Sequence, residues 1–272
     1  MSKVLTQSHS MKPNPYHPDQ AARRGRSRVK KLPEVTVLFW MIKLLTTGMG
    51  ETTSDYLAHQ MNPLFAVALG GIGLTVALLI QFAVHRYLPW VYWLAITMVA
   101  IFGTMVADAI HVGLGVSYLS STVGFSVVLS LIFAAWYRSE KTLSMQQINT
   151  FRRECFYWVT VMATFALGTA AGDMTASTLG LGYFTSGWLF AVLFALPAIA
   201  YWRSGGNAVG AFWLAYILTR PLGASFADWI SRSQDLGGAG FGTGRISLVL
   251  AMLIVGLVAY STSRKDRVGL RS

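Results

Sequence analysis

Eight apolar runs dominate this sequence, each close to the roughly 20 residues that a helix needs to cross about 30 Å of hydrocarbon. They fall at about 33–56, 64–85, 88–111, 118–137, 153–176, 185–203, 207–231 and 245–262. Inside hydrocarbon only helices and closed barrels satisfy every backbone N–H and C=O. The runs are continuous and lack the strict alternation of a barrel strand. The chain therefore reads as an all-α integral membrane protein with eight transmembrane helices. Composition agrees, with 54% hydrophobic and 12% charged residues among 272. The single cysteine, Cys155, excludes an internal disulfide framework and a Cys-rich metal site, and reads as a plain apolar residue.

The net charge of +11 would suggest nucleic acid in a soluble protein, but here much of it sits in the tails and short connections. Arg86, Arg138 with Lys141, Arg152 with Arg153, and Arg203 fall on the same side as the basic N-terminus, and Arg264, Lys265 and Arg267 follow the last run. The connections at 57–63, 112–118 and 177–184 carry no Lys or Arg; Arg232 and Arg245 blur the pattern in the last one. By the positive-inside rule both termini are cytoplasmic, and no nucleic-acid partner is expected. The expected organisation is a basic, disordered tail over 1–32, a membrane domain over 33–264, and a second cytoplasmic tail over 265–272. Pro33 and Pro89 suit first-turn positions. Glu34 and Glu154 suit the positive ends of the first and fifth helices.

The segments "TTGMGETTSD", "GTMVADAIH", "GTAAGDMTAS" and "GASFADWIS" close the first, third, fifth and seventh runs, each placing an acid after a small residue. Glu51, Asp108, Asp173 and Asp228 are the matching positions, about 60 residues apart, which makes one helical hairpin the period. Gly50, Glu51 and Thr53 match Gly172, Asp173 and Thr175; Gly103, Ala107 and Asp108 match Gly223, Ala227 and Asp228. "GLG" follows the acid at 113 and again at 180. Repeats are expected at about 33–86, 88–138, 153–203 and 207–263. Two spans per unit make every unit enter the membrane in the same direction, giving four parallel two-helix repeats around a central axis. Odd helices inside and even helices outside would bring the four acids together, in the outer half of the bilayer.

A carboxylate in a bilayer costs about 2.5 to 3.5 kcal/mol at a helix centre unless it faces a cavity, a cation or a partner. Four at equivalent positions, beside residues small enough for close helix approach, point to a shared cation or proton site. Asp55 lies one turn beyond Glu51, His59 one turn beyond Asp55, and His111 is a helical neighbour of Asp108. Carboxylates suit hard divalent ions, and an imidazole shifts preference toward Mn²⁺ and later metals. The candidate metal ligands are Glu51, Asp108, Asp173, Asp228 and His111, with Asp55 as a further ion-binding acid. Hydroxyls at Thr52, Thr53, Ser54, Thr104, Thr175 and Ser225 are accessory, or bond their own helices. Lys43 and Arg220 stand two turns before the acids of units one and four and could pair with them. Pro221 is expected to kink or break the seventh helix. The tryptophans read as interfacial or packing residues.

The run "KLPEVTVLFWMIKLLTTGMGETTSDYL", residues 31–57, with its weaker echoes, resembles a bacterial family of "membrane-anchored" proteins defined by a repeated domain of unknown function. The resemblance implies an inner-membrane protein of four repeats and carries no activity. No nucleophile and base, nucleotide loop or haem motif can be assembled, so neither an enzyme nor a cofactor is expected. The leading expectation is a transporter or channel for a small cation. A divalent metal such as Mn²⁺ is the first substrate candidate, with proton coupling through the crowded carboxylates. The alternative is a non-transporting anchor or sensor whose acids fasten helices through Lys43 and Arg220.

Overall fold

The computed structural model describes residues 31–269, with side chains through Ser263. Eight long helices and no strand occur among them: α1 Val37–Gln60, α2 Pro63–Ala83, α3 Pro89–Asp108, α4 Tyr118–Glu140, α5 Phe151–Asp173, α6 Gly182–Ser204, α7 Ala208–Ser231 and α8 Thr243–Gly269. Local chemistry fixes several of the starts. The Asn62 side chain caps α2 ahead of Pro63, and Asn207 accepts from the N–H groups of Val209 and Gly210 to cap α7. Six helices are long and apolar enough to cross a membrane, α2 to α6 and α8. The other two, α1 and α7, hold the buried ions Lys43, Glu51, Arg220 and Asp228.

The four odd helices form a closed cycle, with α1 packed on α3, α3 on α5, α5 on α7 and α7 on α1. Each even helix lies outside and packs chiefly on the odd helix of the next unit: α2 on α3, α4 on α5, α6 on α7, and α8 back on α1. The last helix thus closes the first. The outer helices turn large apolar side chains outward, among them Leu64, Ile72, Val127, Leu131, Val192 and Leu248.

Register within the cycle follows from the acids. Counting back one turn at a time gives the layers Thr47, Thr104, Thr169 and Ala224; then Lys43, Ala100, Phe165 and Arg220; then Phe39, Ile96, Val161 and Tyr216. All twelve are at most 4% exposed, so the same stripe of every odd helix faces inward. Small residues let the helices approach. A Cβ added at Gly103 of α3 would stand 2.9 Å from Phe165 Cβ of α5, and one at Gly168 of α5 would stand 2.5 Å from Arg220 Cβ of α7. A Cβ at Gly50 of α1 would meet Ala100 of α3 at 2.5 Å. Each contact joins neighbours in the cycle.

Several expectations are corrected. The first helix begins at Val37, not at Pro33, because Thr36 accepts from the Phe39 N–H and caps it. Glu34 therefore precedes the helix. Lys31 and Leu32, assigned to the tail, belong to the fold: Lys31 Nζ lies 2.7 Å from Glu154 Oε2 and Leu32 is buried. The rest of that tail, 1–30, lies outside the described residues. Glu154 does sit in the first turn of α5, but as a buried tie that also accepts from Gln81 Nε2 at 3.1 Å. Pro221 does not interrupt α7, which runs unbroken to Ser231. Its ring packs on the glycine face of α5, where Gly168 and Gly172 leave room. The two "GLG" runs are not in register; the equivalent glycines are Gly115 and Gly180, at φ of 65° and 68°, each two turns past its acid.

Candidate functional site

Arg220 is the hub of the inner cycle. It rises from α7 fully buried, and its Nη2 lies 2.5 Å from Glu51 Oε2 of α1 and 2.8 Å from Thr169 Oγ1 of α5. It also donates to the Thr104 hydroxyl of α3 and, at 3.4 Å, to the Thr47 carbonyl of α1. One guanidinium thus collects oxygen atoms from the three other inner helices, using the fork of donors that arginine presents. Thr104 was a candidate from the sequence. Thr47 and Thr169 were not, although both stand one turn before an acid, as Thr104 does.

Toward the C-terminal ends of the odd helices lie the carboxylates. Glu51, Asp55 and Asp228 can each bring one oxygen within 4.8 Å of the others. Arg232, just past α7, braces two of them: its Nε is 3.0 Å from Asp228 Oδ1 and its Nη2 is 3.2 Å from Asp55 Oδ2. Its guanidinium also lies over the Tyr183 ring, 5.0 Å from the centroid. Arg232 appeared in the sequence only as a charge out of place. Asp108 and Asp173 are half-buried and make no hydrogen bond or ion pair among the described residues. They lie close enough to Glu51 and Asp55 to act on them electrostatically, with Tyr118 and Tyr183 nearby.

In both middle units the helix changes at the acid. A π-helical turn follows Asp108 at Ala109–Gly113 and another follows Asp173 at Met174–Thr178. Such turns widen the backbone spiral and are found often at functional sites. They place the two unpaired acids at matched discontinuities.

The remaining candidates divide. His111 Nδ1 is 2.6 Å from the Val116 carbonyl and its ring stacks on Tyr118, so it closes the turn after the first π segment; it stands outside the close carboxylate group. His59 Nδ1 bonds the Asp55 carbonyl at the exposed end of α1. Thr175 donates to the Gly172 carbonyl of its own helix, whereas Thr53 Oγ1 is buried without a hydrogen bond among the described residues. Among the described residues Lys43 pairs with no acid. Its Nζ is fully buried between the rings of Phe165 and Tyr216, 4.2 and 4.3 Å from their centroids.

Comparison with known protein families matches four successive copies of one unit, described as Repeat of Unknown Function (DUF347), at residues 38–87, 91–142, 156–207 and 211–266. The chain belongs to this DUF347 repeat family. Each DUF347 unit takes in one inner helix and the outer helix that follows it. One acid of the series Glu51, Asp108, Asp173 and Asp228 falls in each. No curated protein and no solved structure matches the chain.

Proposed function

We propose that this chain is an integral inner-membrane transporter or channel for a cation, with a divalent metal such as Mn²⁺ as substrate. In this reading eight transmembrane helices form four parallel two-helix repeats around a central axis, with both termini cytoplasmic and the bilayer around the outer helices. The apolar outward faces of α2, α4, α6 and α8 support insertion. The charge of Arg86, Arg138, Arg152 and Arg203 on one side supports the orientation.

One observation carries the substrate class. Five carboxylates, Glu51, Asp55, Asp108, Asp173 and Asp228, converge at one end of the inner cycle beside two arginines, and Asp108 and Asp173 have no partner among the described residues. Negative charge in excess of its counter-ions attracts and concentrates cations. Oxygen donors suit hard ions. Protons can move through the same group, since crowded carboxylates do not all stay ionised cheaply. No enzymatic step is part of this reading, and no nucleic acid.

The experiment is growth and metal content of cells expressing the chain across a panel of metals. Expression should change cellular Mn²⁺, and Asp108→Asn or Asp173→Asn should remove most of that change. Metal content unaffected by the chain, or changed by both variants as much as by the original chain, would sink the proposal.

A second reading has its own support. The contact of Arg220 with Glu51 is buried, and Arg232 ties Asp55 to Asp228 across α1 and α7. On that basis the chain is a non-transporting anchor in which these ions fasten helices. The two readings part at Asp108 and Asp173, which fasten nothing among the described residues.

A further inference from the structure

The two arginines among the acids differ in how they are held. The Arg220 side chain is 1% exposed, whereas that of Arg232, at the C-terminal cap of α7, is 27% exposed. The backbone of Arg232 is fixed all the same. Its N–H donates to the Asp228 carbonyl at 2.8 Å, and its carbonyl accepts from the Gly240 N–H at 2.8 Å. Gly238 passes so close that a Cβ there would collide with that same carbonyl. The N–H groups of Ala239, Phe241 and Gly242 donate back to the carbonyls of Trp229, Ile230 and Ser231. The chain after α7 thus folds back on the last turn of the helix and fixes the root of a guanidinium that already reaches water.

The bland account is a brace between α1 and α7. Those helices are already joined below it, by Arg220 on Glu51 and by close packing: a Cβ at Gly223 of α7 would stand 3.0 Å from the Leu44 carbonyl oxygen of α1. A part-exposed ion pair adds only about 0–1 kcal/mol to such a contact. A cation past a helix C-terminus gains about 0.3–1 kcal/mol from the helix dipole, and that gain does not need Asp55. What the guanidinium does take up is the place of an ion. Glu51, Asp55 and Asp228 bring oxygens within 4.8 Å of one another, and oxygens facing each other across a hard divalent ion stand about 4–5 Å apart. Arg232 holds two of those three acids.

We propose that Arg232 is a tethered cation seated on Asp55 and Asp228 in place of the substrate, and that it selects by charge: a divalent ion displaces the guanidinium and a monovalent ion does not. This rests on the transport reading and deepens it, by naming the residue that sets specificity. The charges give the reason. Arg220 balances Glu51, so Asp55 and Asp228 together carry two negative charges against the single positive charge of Arg232. A divalent ion in that place leaves no charge uncompensated, and at equal distance each carboxylate attracts it twice as strongly as a monovalent one. Na⁺ offers no more charge than the guanidinium. It also lacks the two charge-assisted hydrogen bonds, at 3.0 and 3.2 Å, and the contact with the Tyr183 ring that hold Arg232 in place. The displaced side chain turns outward to water from its fixed backbone, while Arg220 stays on Glu51.

The test uses the purified full chain and has two arms. In liposomes, the unmodified chain should take up Mn²⁺ and exclude radioactive Na⁺. Arg232→Gln should raise Na⁺ uptake at least tenfold and lower the half-saturating Mn²⁺ concentration at least threefold, since the competing charge is gone. Arg232→Lys, which keeps that charge, should exclude Na⁺ to within threefold of the unmodified chain. In detergent, phenylglyoxal modification of Arg232 in the unmodified chain, followed by mass spectrometry, should quicken at least threefold with Mn²⁺ and stay unchanged with Na⁺. This second arm decides the matter even if Arg232→Gln fails to fold. Mn²⁺ uptake without any effect of Mn²⁺ on the modification would overturn the filter and leave transport standing, as would Na⁺ uptake by the unmodified chain or its exclusion by folded Arg232→Gln. No Mn²⁺ uptake at all would remove the transport reading and the filter with it.

Discussion

At the scale of single residues, Arg220 and Glu51 set the energetics. Removing one partner of a buried ion pair strands the other, at a cost of about 3–5 kcal/mol, whereas replacing both with apolar groups of similar volume is close to neutral. Glu51→Gln and Arg220→Met should therefore each lower the thermal unfolding temperature sharply in detergent. The double substitution should recover most of the loss, which a double-mutant cycle measures. If transport is the function, the recovered double variant still fails to move Mn²⁺; an anchor would be restored in full. The four acids were legible in the sequence because each follows a small residue at the same point of its unit. Thr47 and Thr169 were missed although they stand one turn before Glu51 and Asp173, since a threonine in an apolar run reads as bonding its own helix, which both hydroxyls also do. Arg232 was missed because a charge in a connection reads as topology, while its reach to Asp55 depends on how α1 and α7 meet.

At the scale of elements, close approach of the odd helices is what brings the side chains into one layer. Gly168 lies against Arg220 and Pro221, so Gly168→Ala must displace them and should cost about 1–3 kcal/mol. Gly124 in α4 and Gly256 in α8 face open space, and alanine there should stabilise by up to about 1 kcal/mol through helix propensity alone. Thermal unfolding of the three variants checks this, and equal effects would show that the glycines are interchangeable. Helix number and approximate bounds came from apolar run length, which a membrane-sized helix dictates. The π turns after Asp108 and Asp173 left no trace in the residues, because an extra residue in a turn is fixed by packing against neighbours. That Pro221 leaves α7 unbroken was hidden for the same reason: the glycine face that accommodates it belongs to another helix.

At the scale of the whole molecule, the decisive feature is that each outer helix packs on the next unit, with α8 closing on α1. Short connections suggest that hairpin partners pack together, and nothing local reveals the shift. Ser247 Oγ of α8 donates to Thr52 Oγ1 of α1 at 2.8 Å. Cysteines at both positions should therefore cross-link within one chain on oxidation, with no dimer by denaturing electrophoresis; cross-linked dimers would mean that the cycle closes between chains. A closed cycle also sets the four acids at one end of the inner helices. The central claim is that a cation passes between them, and uptake of Mn²⁺ by liposomes holding the purified chain tests it most directly. The account predicts saturable uptake, reduced at least tenfold by Asp108→Asn and by Asp173→Asn in folded protein. Uptake no greater than that of empty liposomes, or uptake that both variants leave intact, would contradict it.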